Sequence, residues 1–399
     1  MLVYRLVSLC VALAVTCLPL AAQTAVAPRV EYSMALAPGV IYRHLRAETD
    51  AREPWSIHVL TVSRREKSAH VAAIMGVGPH DEMQRERPTV MAAQAAARGA
   101  NVLAVVNGDF DYARSFPGVS TGLAVAGGRL WTSAKPGWPV LALLASGEPV
   151  IGVPDLRLEL RAGKHTLPLA GYNKPPGRSG IYIYSREFRA SLKADFPLDA
   201  AVIEHIATPL RAEGAVTGVV KRTYRNAGEV PVPARGLLVT SGPSTSSRLA
   251  ALKTGTRVSI RTKLAVRAKR AVRDVIGGFP VLVANGRKHV AGNPAESLAK
   301  RHPRTAVCYN DRELVFAVVD GRQPKLSVGM TLDELADLML ALKCREAMNT
   351  DGGGSSVMAV HMTEADGTRK LRIVNSPSDG SERGRGNAWL IVAGSASPR

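Results

Sequence analysis

The chain is poor in the residues on which several common functions depend. Of its 399 residues only four are cysteines, and aromatic residues make up 5%. No cysteine and histidine spacing matches a zinc finger, and no cluster of histidine and acidic residues has the spacing of a metal site. The basic segments lack the aromatic residues typical of RNA-binding surfaces. The sequence therefore predicts no metal, no cofactor and no nucleic acid partner.

Long hydrophobic runs are also absent, apart from one at the start of the chain. Residues 6–20 form an apolar run that follows Arg5 and precedes Ala21-Ala22. This run is too short for a membrane span and has the form of a cleaved secretory signal. We therefore predict a signal peptide at residues 1–22, no stable membrane insertion after cleavage, and a periplasmic or secreted location. An uncleaved N-terminal anchor is the alternative.

Removal of the signal would leave only two cysteines, Cys308 and Cys344. In an oxidising compartment such a pair is a candidate for a disulfide. The bond would contribute roughly 3–4 kcal/mol by restricting the unfolded chain. The alternative is two buried thiols that never meet.

Acidic residues are outnumbered by basic ones. Lysine and arginine total 52 against 33 aspartate and glutamate, which gives a formal net charge of +19. Such a charge favours encounters with polyanions, such as anionic glycans and phosphate-bearing polymers. Residues 261–273 contain six of the basic residues, interleaved with apolar ones. This segment is interpreted as a half-buried strand with a charged outer face, and a dedicated binding strip is the alternative.

Low-complexity linkers and internal repeats are absent too. We therefore predict one elaborated domain over residues 55–395, preceded by a lead-in segment at 23–54. Many short β-branched runs between glycine and proline turns predict strands. Helices are predicted at Pro88 to Arg98 and after a capping box that begins at Thr331. The fold class is α/β of the α+β kind: a mixed, strand-rich sheet core with a few helices and with functional loops at strand ends.

Glycine is abundant at one informative point. Asn349-Thr350-Asp351 leads into three consecutive glycines, which two serines follow. Ordering three glycines is costly in backbone entropy, so the segment must need positive φ angles or close approach of another group. The run lies between the second predicted helix and a predicted strand at 356–360. It therefore predicts a loop at a strand end, where α/β proteins commonly bind ligands.

Similar motifs of polar residues and glycine occur along the rest of the chain. They are Asn107-Gly108-Asp109-Phe110, Ile276-Gly277-Gly278, His302-Pro303-Arg304-Thr305-Ala306, Val319-Asp320-Gly321, the segment 329–336, the run 349–356, and Asn375 with Glu382-Arg383. In this order the motifs resemble the phosphodiester glycosidase family, over most of the chain from about residue 55 to residue 392. Four positions depart from the family pattern: Thr350, Cys308, and the pair Asp111-Tyr112 in place of part of an aromatic pair.

The resemblance implies a glycoside hydrolase that acts on sugar-phosphate diesters. The best-known family member removes N-acetylglucosamine from a phosphodiester-linked mannose 6-phosphate. For an exported bacterial member we predict a sugar-1-phosphodiester linkage in an envelope or extracellular glycan as the substrate. The alternative is a non-catalytic envelope protein that binds an anionic polysaccharide. A metal-dependent phosphodiesterase is a third reading, which lacks the expected metal-ligand spacing.

Three residues are predicted to take part in the chemistry. Asp351 is the first choice, as a nucleophile or as a base for water, and an aspartate that caps the glycine turn is the alternative. Asp109 is a candidate second carboxylate, against a simple Asn-Gly turn. His302 is a candidate general acid or base, against a surface histidine.

Substrate binding requires cations for the phosphate and polar groups for the sugar. Arg304 and Arg383 are the phosphate candidates because a guanidinium binds two oxygens at once. Their alternatives are a structural ion pair and a solvated loop charge. Backbone N–H groups of the glycine run and the Ser355 hydroxyl could add donors. The predicted substrate-binding residues are Asn107, Gly108, Arg304, Asp320, Asn349, Gly352, Gly353, Gly354, Ser355, Asn375 and Arg383.

Overall fold

The computed structural model describes residues 28–112, 114–269, 271–290 and 300–394. The predicted signal peptide lies outside these ranges. The described residues confirm a strand-rich mixed core with few helices. The helices are α1 (Pro88–Ala97) and α2 (Leu332–Ala341), with 3₁₀ segments at Pro79–Asp81, Pro243–Ala251 and Gly353–Ser355. Both helices coincide with the predicted ones, and Thr331 and Glu334 form the expected capping box.

Two of the four large sheets combine strands from the start and the end of the chain; strands are numbered in chain order. Sheet 1 contains, in spatial order, β1 (Arg29–Ala37), β2 (Val40–Glu48), β3 (Pro54–Ser63), β24 (Glu313–Val319), β23 (Arg304–Tyr309), β25 (Glu346–Asn349), β21 (Val281–Ala284) and β22 (Arg287–Lys288). Sheet 4 contains β27 (Arg369–Ile373), β26 (Met358–Thr363), β5 (Val102–Asn107), β28 (Asn387–Ala393) and β4 (Ala69–Met75).

The other two large sheets come from the middle of the chain. Sheet 2 contains β11 (Pro149–Gly152), β10 (Val140–Leu144), β20 (Val272–Gly277), β8 (Ala124–Ala126) and β9 (Arg129–Thr132). Sheet 3 contains β13 (His165–Pro168), β12 (Pro154–Ala162), β19 (Arg257–Val266), β17 (Gly214–Pro231), β16 (Ser191–Glu204), β18 (Leu237–Ser241), β15 (Ile181–Tyr184) and β14 (Gly171–Tyr172). A short pair is formed by β6 (Asp111–Tyr112) and β7 (Phe116–Ser120).

Sheets 1 and 4 pack face to face between the two helices. Leu60 and Phe316 of sheet 1 share a buried cluster with Val106 and Trp389 of sheet 4. Helix α2 covers the other face of sheet 1, and helix α1 covers the other face of sheet 4. Strand β5 is therefore buried on both faces, which explains its continuous apolar sequence. This layering positions the ends of β5 and β25 close together.

Sheets 2 and 3 form a second core. The largest buried cluster joins Val140 and Val275 of sheet 2 to Leu160 and Ile260 of sheet 3. Strand β19 alternates strictly between buried and more exposed residues. This alternation confirms the predicted half-buried strand for residues 261–266, where Arg261 and Lys263 lie on the more exposed face. The remainder of the basic segment 261–273 is not part of this strand, because β19 ends at Val266 and β20 begins at Val272.

Two connections stabilise sheet 1. Cys308 on β23 and Cys344 after α2 form a disulfide with a Cα–Cα distance of 5.7 Å, which confirms the predicted bond. Strands β1 and β2 belong to the predicted lead-in segment. Strand β2 pairs antiparallel with β3 and β1 pairs antiparallel with β2, so both extend the same sheet. Among the described residues, no helix is long and apolar enough to cross a membrane.

Candidate functional site

The ends of β5 and β25 are held together by direct hydrogen bonds. The backbone N–H of Asp351 donates to the carbonyl of Gly108 at 3.1 Å. The side-chain amide of Asn107 donates to the carbonyl of Asp351 at 2.7 Å. Its oxygen accepts from the Thr305 hydroxyl at 2.9 Å and from the Val357 N–H at 3.0 Å. Two of the predicted motifs therefore meet, and the side chain of Asn107 is engaged by the protein at both ends.

The glycine run is required by close packing. Gly353 has a φ of +63°, and its N–H donates to the carbonyl of Pro303 at 2.8 Å. A Cβ on Gly352 would lie 2.8 Å from the same carbonyl oxygen, and one on Gly354 would collide with the side chains of Asp379 and Arg383. The N–H groups of Ser355 and Ser356 close the turn onto Gly352 and Gly353. The run thus presses the loop after Asp351 against the start of β23.

A chain of alternating charges holds the Asp351 carboxylate. One guanidinium nitrogen of Arg385 donates to Asp351 and also to the Ser355 hydroxyl, the latter at 2.5 Å. The other terminal nitrogen donates to Asp111 at 2.8 Å. Arg85 binds the same Asp111 carboxylate through two nitrogens, at 2.6 and 2.9 Å. Arg385 therefore bridges two buried carboxylates, and Arg85 fixes the second of them.

These contacts separate the proton affinities of the two carboxylates. Burial raises the pKa of Asp351, and the opposing attraction of Arg385 does not fully offset it, while the Asp111 charge raises it further. Burial also acts on Asp111, but the hydrogen bond from Arg85 and the charge of Arg385 outweigh it and leave the pKa of Asp111 lowered. Carboxylates whose pKa values are driven apart are typical of acid–base sites.

Arg85, Asp111 and Arg385 are absent from the predicted site. The last family motif ends at Arg383, whose side chain pairs instead with Asp379 on the surface. The Arg-Gly-Arg sequence at 383–385 offers two equivalent cations, and nothing local distinguishes the buried one. Asp111 was visible only as a departure from the family pattern.

Asp109 lies beside these charged residues, and its side chain is completely buried. Its carboxylate accepts from the N–H groups of Phe110 at 2.8 Å and Gly122 at 2.7 Å. Burial raises the pKa of Asp109 to about 7. The buried amine of Lys174 donates to the three successive carbonyls of residues 120–122, and burial lowers its pKa to about 7. Asp109 and Lys174 therefore both bind the backbone of residues 120–122. Lys174 is also absent from the predicted site.

Asp320 and Asn375 lie behind the glycine run in a closed network. Asp320 accepts from Ser56 at 3.0 Å, Asn375 at 3.1 Å and the Ser376 N–H at 2.8 Å. The ring nitrogen Nε2 of His58 lies 3.1 Å from the same carboxylate. The amide of Asn375 also donates to the Ser356 carbonyl at 3.2 Å. Both predicted binding residues are thus engaged in supporting the loop.

Arg304 points away from Asp351. Its guanidinium donates to the carbonyls of Met330 and Lys300, both at 2.8 Å, and burial lowers its pKa to about 10. Neighbouring residues in a strand face opposite sides, and Thr305 faces Asn107. Arg304 therefore lies on the α2 side of sheet 1.

Two other cations border the glycine run. The side chain of Arg383 lies against Gly354, and that of Arg322 lies against Gly353. The ring of His302 is 3.4 Å from Arg322. Asn349 is predicted to bind substrate, and its side-chain amide donates to the Phe279 carbonyl at 2.7 Å. In the parts of the chain that the structure describes, no group of three or more His, Cys, Asp and Glu side chains is arranged to hold a metal ion.

Part of the chain matches a known protein family. Residues 211–392 match the model of the phosphodiester glycosidase family, a range that contains Asp320, Asp351 and Arg385. No curated protein matches the sequence.

Solved structures show a similar fold. A hypothetical protein from Synechocystis aligns with a TM-score of 0.73 and 16% identity, over 92% of this chain and 64% of that one, so the chain spans less than two thirds of that protein. A protein of Burkholderia pseudomallei described as exported aligns with a TM-score of 0.62 and 21% identity, over 85% and 74% of the two chains. The zebrafish N-acetylglucosamine-1-phosphodiester alpha-N-acetylglucosaminidase catalytic domain, auto-inhibited by its pro-peptide, aligns at 14% identity with a TM-score of 0.45, over 93% and 88%.

Proposed function

The chain carries a phosphodiester glycosidase domain, and from this premise we propose that it is an exported hydrolase that cleaves a sugar-1-phosphodiester linkage in an envelope or extracellular glycan. The observation that carries the proposal is the Asp351 carboxylate. It is buried at the end of β25, it precedes the glycine run, and Arg385 holds it in place. The Cys308–Cys344 disulfide supports a periplasmic or secreted location.

Asp351 is the group that acts at the anomeric carbon. Hydrolysis breaks the bond between C1 and the phosphate oxygen, and the bonding electrons leave on the phosphate. Because this oxygen is a weak base, the reaction needs little help from a general acid. Water adds its oxygen to C1 and passes a proton to Asp351, or Asp351 attacks first and water releases the sugar in a second step. The raised pKa of Asp351 suits the acceptance of that proton.

Arg322 and Arg383 hold the phosphate in this proposal, in place of Arg304, and Arg383 must exchange its ion pair with Asp379 for the phosphate. Both lie against the glycine run that follows Asp351, and a guanidinium binds two phosphate oxygens at once. The backbone of Arg322 has a φ of +60°, an unfavourable conformation for a residue with a side chain. Such strain is commonly kept at functional sites, and here it aims an exposed arginine at Gly353.

Product analysis in oxygen-18 water tests this function. The substrates are methyl diesters of hexopyranose 1-phosphates, and the expected result is label in the released sugar. Label in the phosphate would show cleavage of the P–O bond and overturn the proposal. Absence of turnover with any of these diesters, together with retained binding of an anionic glycan, would favour a non-catalytic binding protein. The anomeric configuration of the first product distinguishes direct attack of water from a covalent intermediate.

A further inference from the structure

Three aromatic side chains from three different loops meet beside the candidate site. Phe110 follows β5, Trp138 precedes β10, and Phe279 follows β20. The rings of Trp138 and Phe279 are stacked, with centroids 4.7 Å apart and an interplanar angle of 14°. Phe110 meets Trp138 edge-on at 5.9 Å and 82°. We refer to these three residues as the aromatic wall.

The aromatic wall is unusual for this chain. The sequence has six phenylalanines and four tryptophans, so three of the ten lie in one place. Phe188, Phe316 and Trp389 are almost completely buried, as aromatic side chains usually are in a core. Phe110, Trp138 and Phe279 are instead only partly buried, as are Trp55, Phe116 and Phe196, but only the first three lie together beside Asp109. Apolar surface left open next to buried carboxylates is typical of a ligand site.

Polar contacts fix the wall in position. The indole N–H of Trp138 points to the Asp109 carboxylate at 3.4 Å. Its ring edge packs on Gly122, where a Cβ would lie 2.8 Å away. The Phe279 carbonyl accepts from Asn349 at 2.7 Å. Lys135 places its amine 4.0 Å from the centre of the Trp138 ring. The Trp138 indole is therefore held in place before any ligand binds, which lowers the entropic cost of binding.

The wall is continuous with the residues around Asp351. Phe110 is two residues from Gly108, whose carbonyl accepts the Asp351 N–H at 3.1 Å. The backbone carbonyl of Phe279 accepts a hydrogen bond from the side chain of Asn349, which lies two residues before Asp351. One occupant therefore fits the wall: the part of the substrate attached to the carbon at which Asp351 acts. The cations Arg322 and Arg383 at the glycine run serve the phosphate.

We propose that the aromatic wall binds the pyranose ring of the substrate through the ring's C–H face, which makes the enzyme selective for pyranosyl phosphodiesters. This inference rests on the proposed function. A pyranose presents a flat apolar face to an aromatic surface and keeps its hydroxyls at the ring edge for polar groups. A furanose or a linear polyol has no comparable flat face. Glycerol phosphodiesters and ribofuranosyl phosphodiesters should therefore be poor substrates.

Substitutions of Trp138 test the proposal. Trp138→Ala should raise the KM for a methyl hexopyranosyl phosphodiester at least tenfold and change kcat by less than threefold. Trp138→Phe, which keeps an aromatic ring, should stay within threefold of the wild-type KM. Trp138→Leu keeps the bulk without the ring, so it should resemble the alanine variant if stacking is the cause. Phe279→Ala should act in the same direction.

A matched control comes from the other half of the molecule. Phe196 is also a partly buried phenylalanine with a cation over its ring, Arg178 at 5.0 Å, but it lies on β16. Phe196→Ala should leave the KM unchanged. Circular dichroism and thermal melts establish that each variant is folded. If Trp138→Leu and Phe279→Ala are both folded and keep the wild-type KM, the wall does not bind the sugar.

Binding to the Asp351→Asn variant separates this proposal from the function on which it rests. Methyl hexopyranosyl phosphate should quench tryptophan fluorescence, dimethyl phosphate should not, and Trp138→Phe should remove most of the quench. Quenching by the sugar ligand without turnover by the wild type would retain the sugar site and reject the hydrolase. Turnover with a KM that is indifferent to the aromatic wall would retain the hydrolase and reject the sugar site.

Discussion

Asp351 and Asp320 occupy equivalent places in the local sequence, yet their surroundings differ. Each follows a buried strand of sheet 1 and precedes a glycine. Asp320 is 1% exposed and has four partners: Ser56, His58, Asn375 and Ser376. Asp351 is 8% exposed and has two side-chain partners, Arg385, which it shares with Asp111, and the Ser355 hydroxyl. The strand-end position marks a region of interest, and the set of partners decides what the carboxylate can do.

The two carboxylates differ in how many further hydrogen bonds they can accept. A carboxylate can accept about four hydrogen bonds. Asp320 uses this capacity to join β3, β24 and the loop after Asn375, so it stabilises the loop behind the glycine run. Asp351 retains capacity for a substrate or water, and its burial raises its pKa. The two aspartates therefore differ in unfilled bonding positions more than in burial, and this difference is the reason for proposing Asp351 as the reactive one.

Exchange of each aspartate for asparagine should give the largest difference. Asp351→Asn should lower kcat/KM on the order of 10³-fold, because an amide can neither attack C1 nor accept a proton from water. The melting temperature should change little, since the amide oxygen can still accept from Arg385. Asp320→Asn is the matched control and should stay within tenfold of the wild type. Activity of Asp351→Asn within tenfold of the wild type would remove Asp351 from the mechanism.

For stability, substitution of Asp320 should have a larger effect than substitution of Asp351. Asp320→Ala leaves several buried donors without an acceptor and should lower the free energy of unfolding by about 3 kcal/mol. Urea denaturation measures this loss. Asp155→Ala, which removes an exposed carboxylate 3.3 Å from Arg157, should cost less than about 1 kcal/mol. Wild-type stability with activity lost by a thousandfold would place Asp320 in the chemistry.

Much of the fold was accessible from the sequence because it depends on local patterns. The capping box at Thr331 predicts α2, alternation predicts β19, and the remaining cysteine pair predicts the disulfide. The glycine run is also readable, because close packing leaves no room for a Cβ on Gly352 or Gly354. These features are set by neighbours in the chain or by the size of a single side chain.

The charged partners of the site were not accessible in this way. Arg385 contacts Asp351 across 34 positions and Asp111 across 274. A chain with 52 lysines and arginines offers many equivalent cations, and only the packed sheets select among them. Arg304 is the converse case. Its motif is characteristic, but strand alternation turns it to the face opposite Thr305, toward carbonyl groups that need donors.

Asp109 lies at the end of a third strand and can be compared with Asp351 and Asp320. Its effect should be seen in how stability depends on pH. Its pKa is raised from 3.8 to about 7, so the folded protein binds this proton more tightly than the unfolded chain does. The stabilisation is complete below pH 4 and is lost as the pH rises through about 7. Relative to Asp109→Asn, the wild type should therefore lose up to about 2 kcal/mol between pH 5 and 7.

Urea denaturation at several pH values measures this difference. Lys174 has the opposite sign, since its pKa is lowered to about 7 and its contribution is lost as the pH falls. The Asp109 charge raises the pKa of Lys174, so Asp109→Asn also changes the titration of the amine, and the measured difference reports the interacting pair. Asp155→Asn, at an exposed site, should show no such slope. A constant difference between wild type and Asp109→Asn across this range would mean that Asp109 is ionised throughout.

Arg322 gives the smallest expected effect and tests whether the loop of Asp320 contributes to the site at all. It follows Gly321 in sequence, but its guanidinium lies against Gly353 in the loop of Asp351. Arg322→Gln should raise the KM for a sugar phosphodiester roughly three- to fivefold, as expected for one exposed charge. It should also weaken the dependence of KM on salt concentration, because fewer screened attractions remain. Arg257→Gln removes the same charge from the outer face of sheet 3 and controls for net charge. Equal effects of the two substitutions would show that Arg322 acts only through the overall charge, and the phosphate would then have to be held by other groups near Asp351.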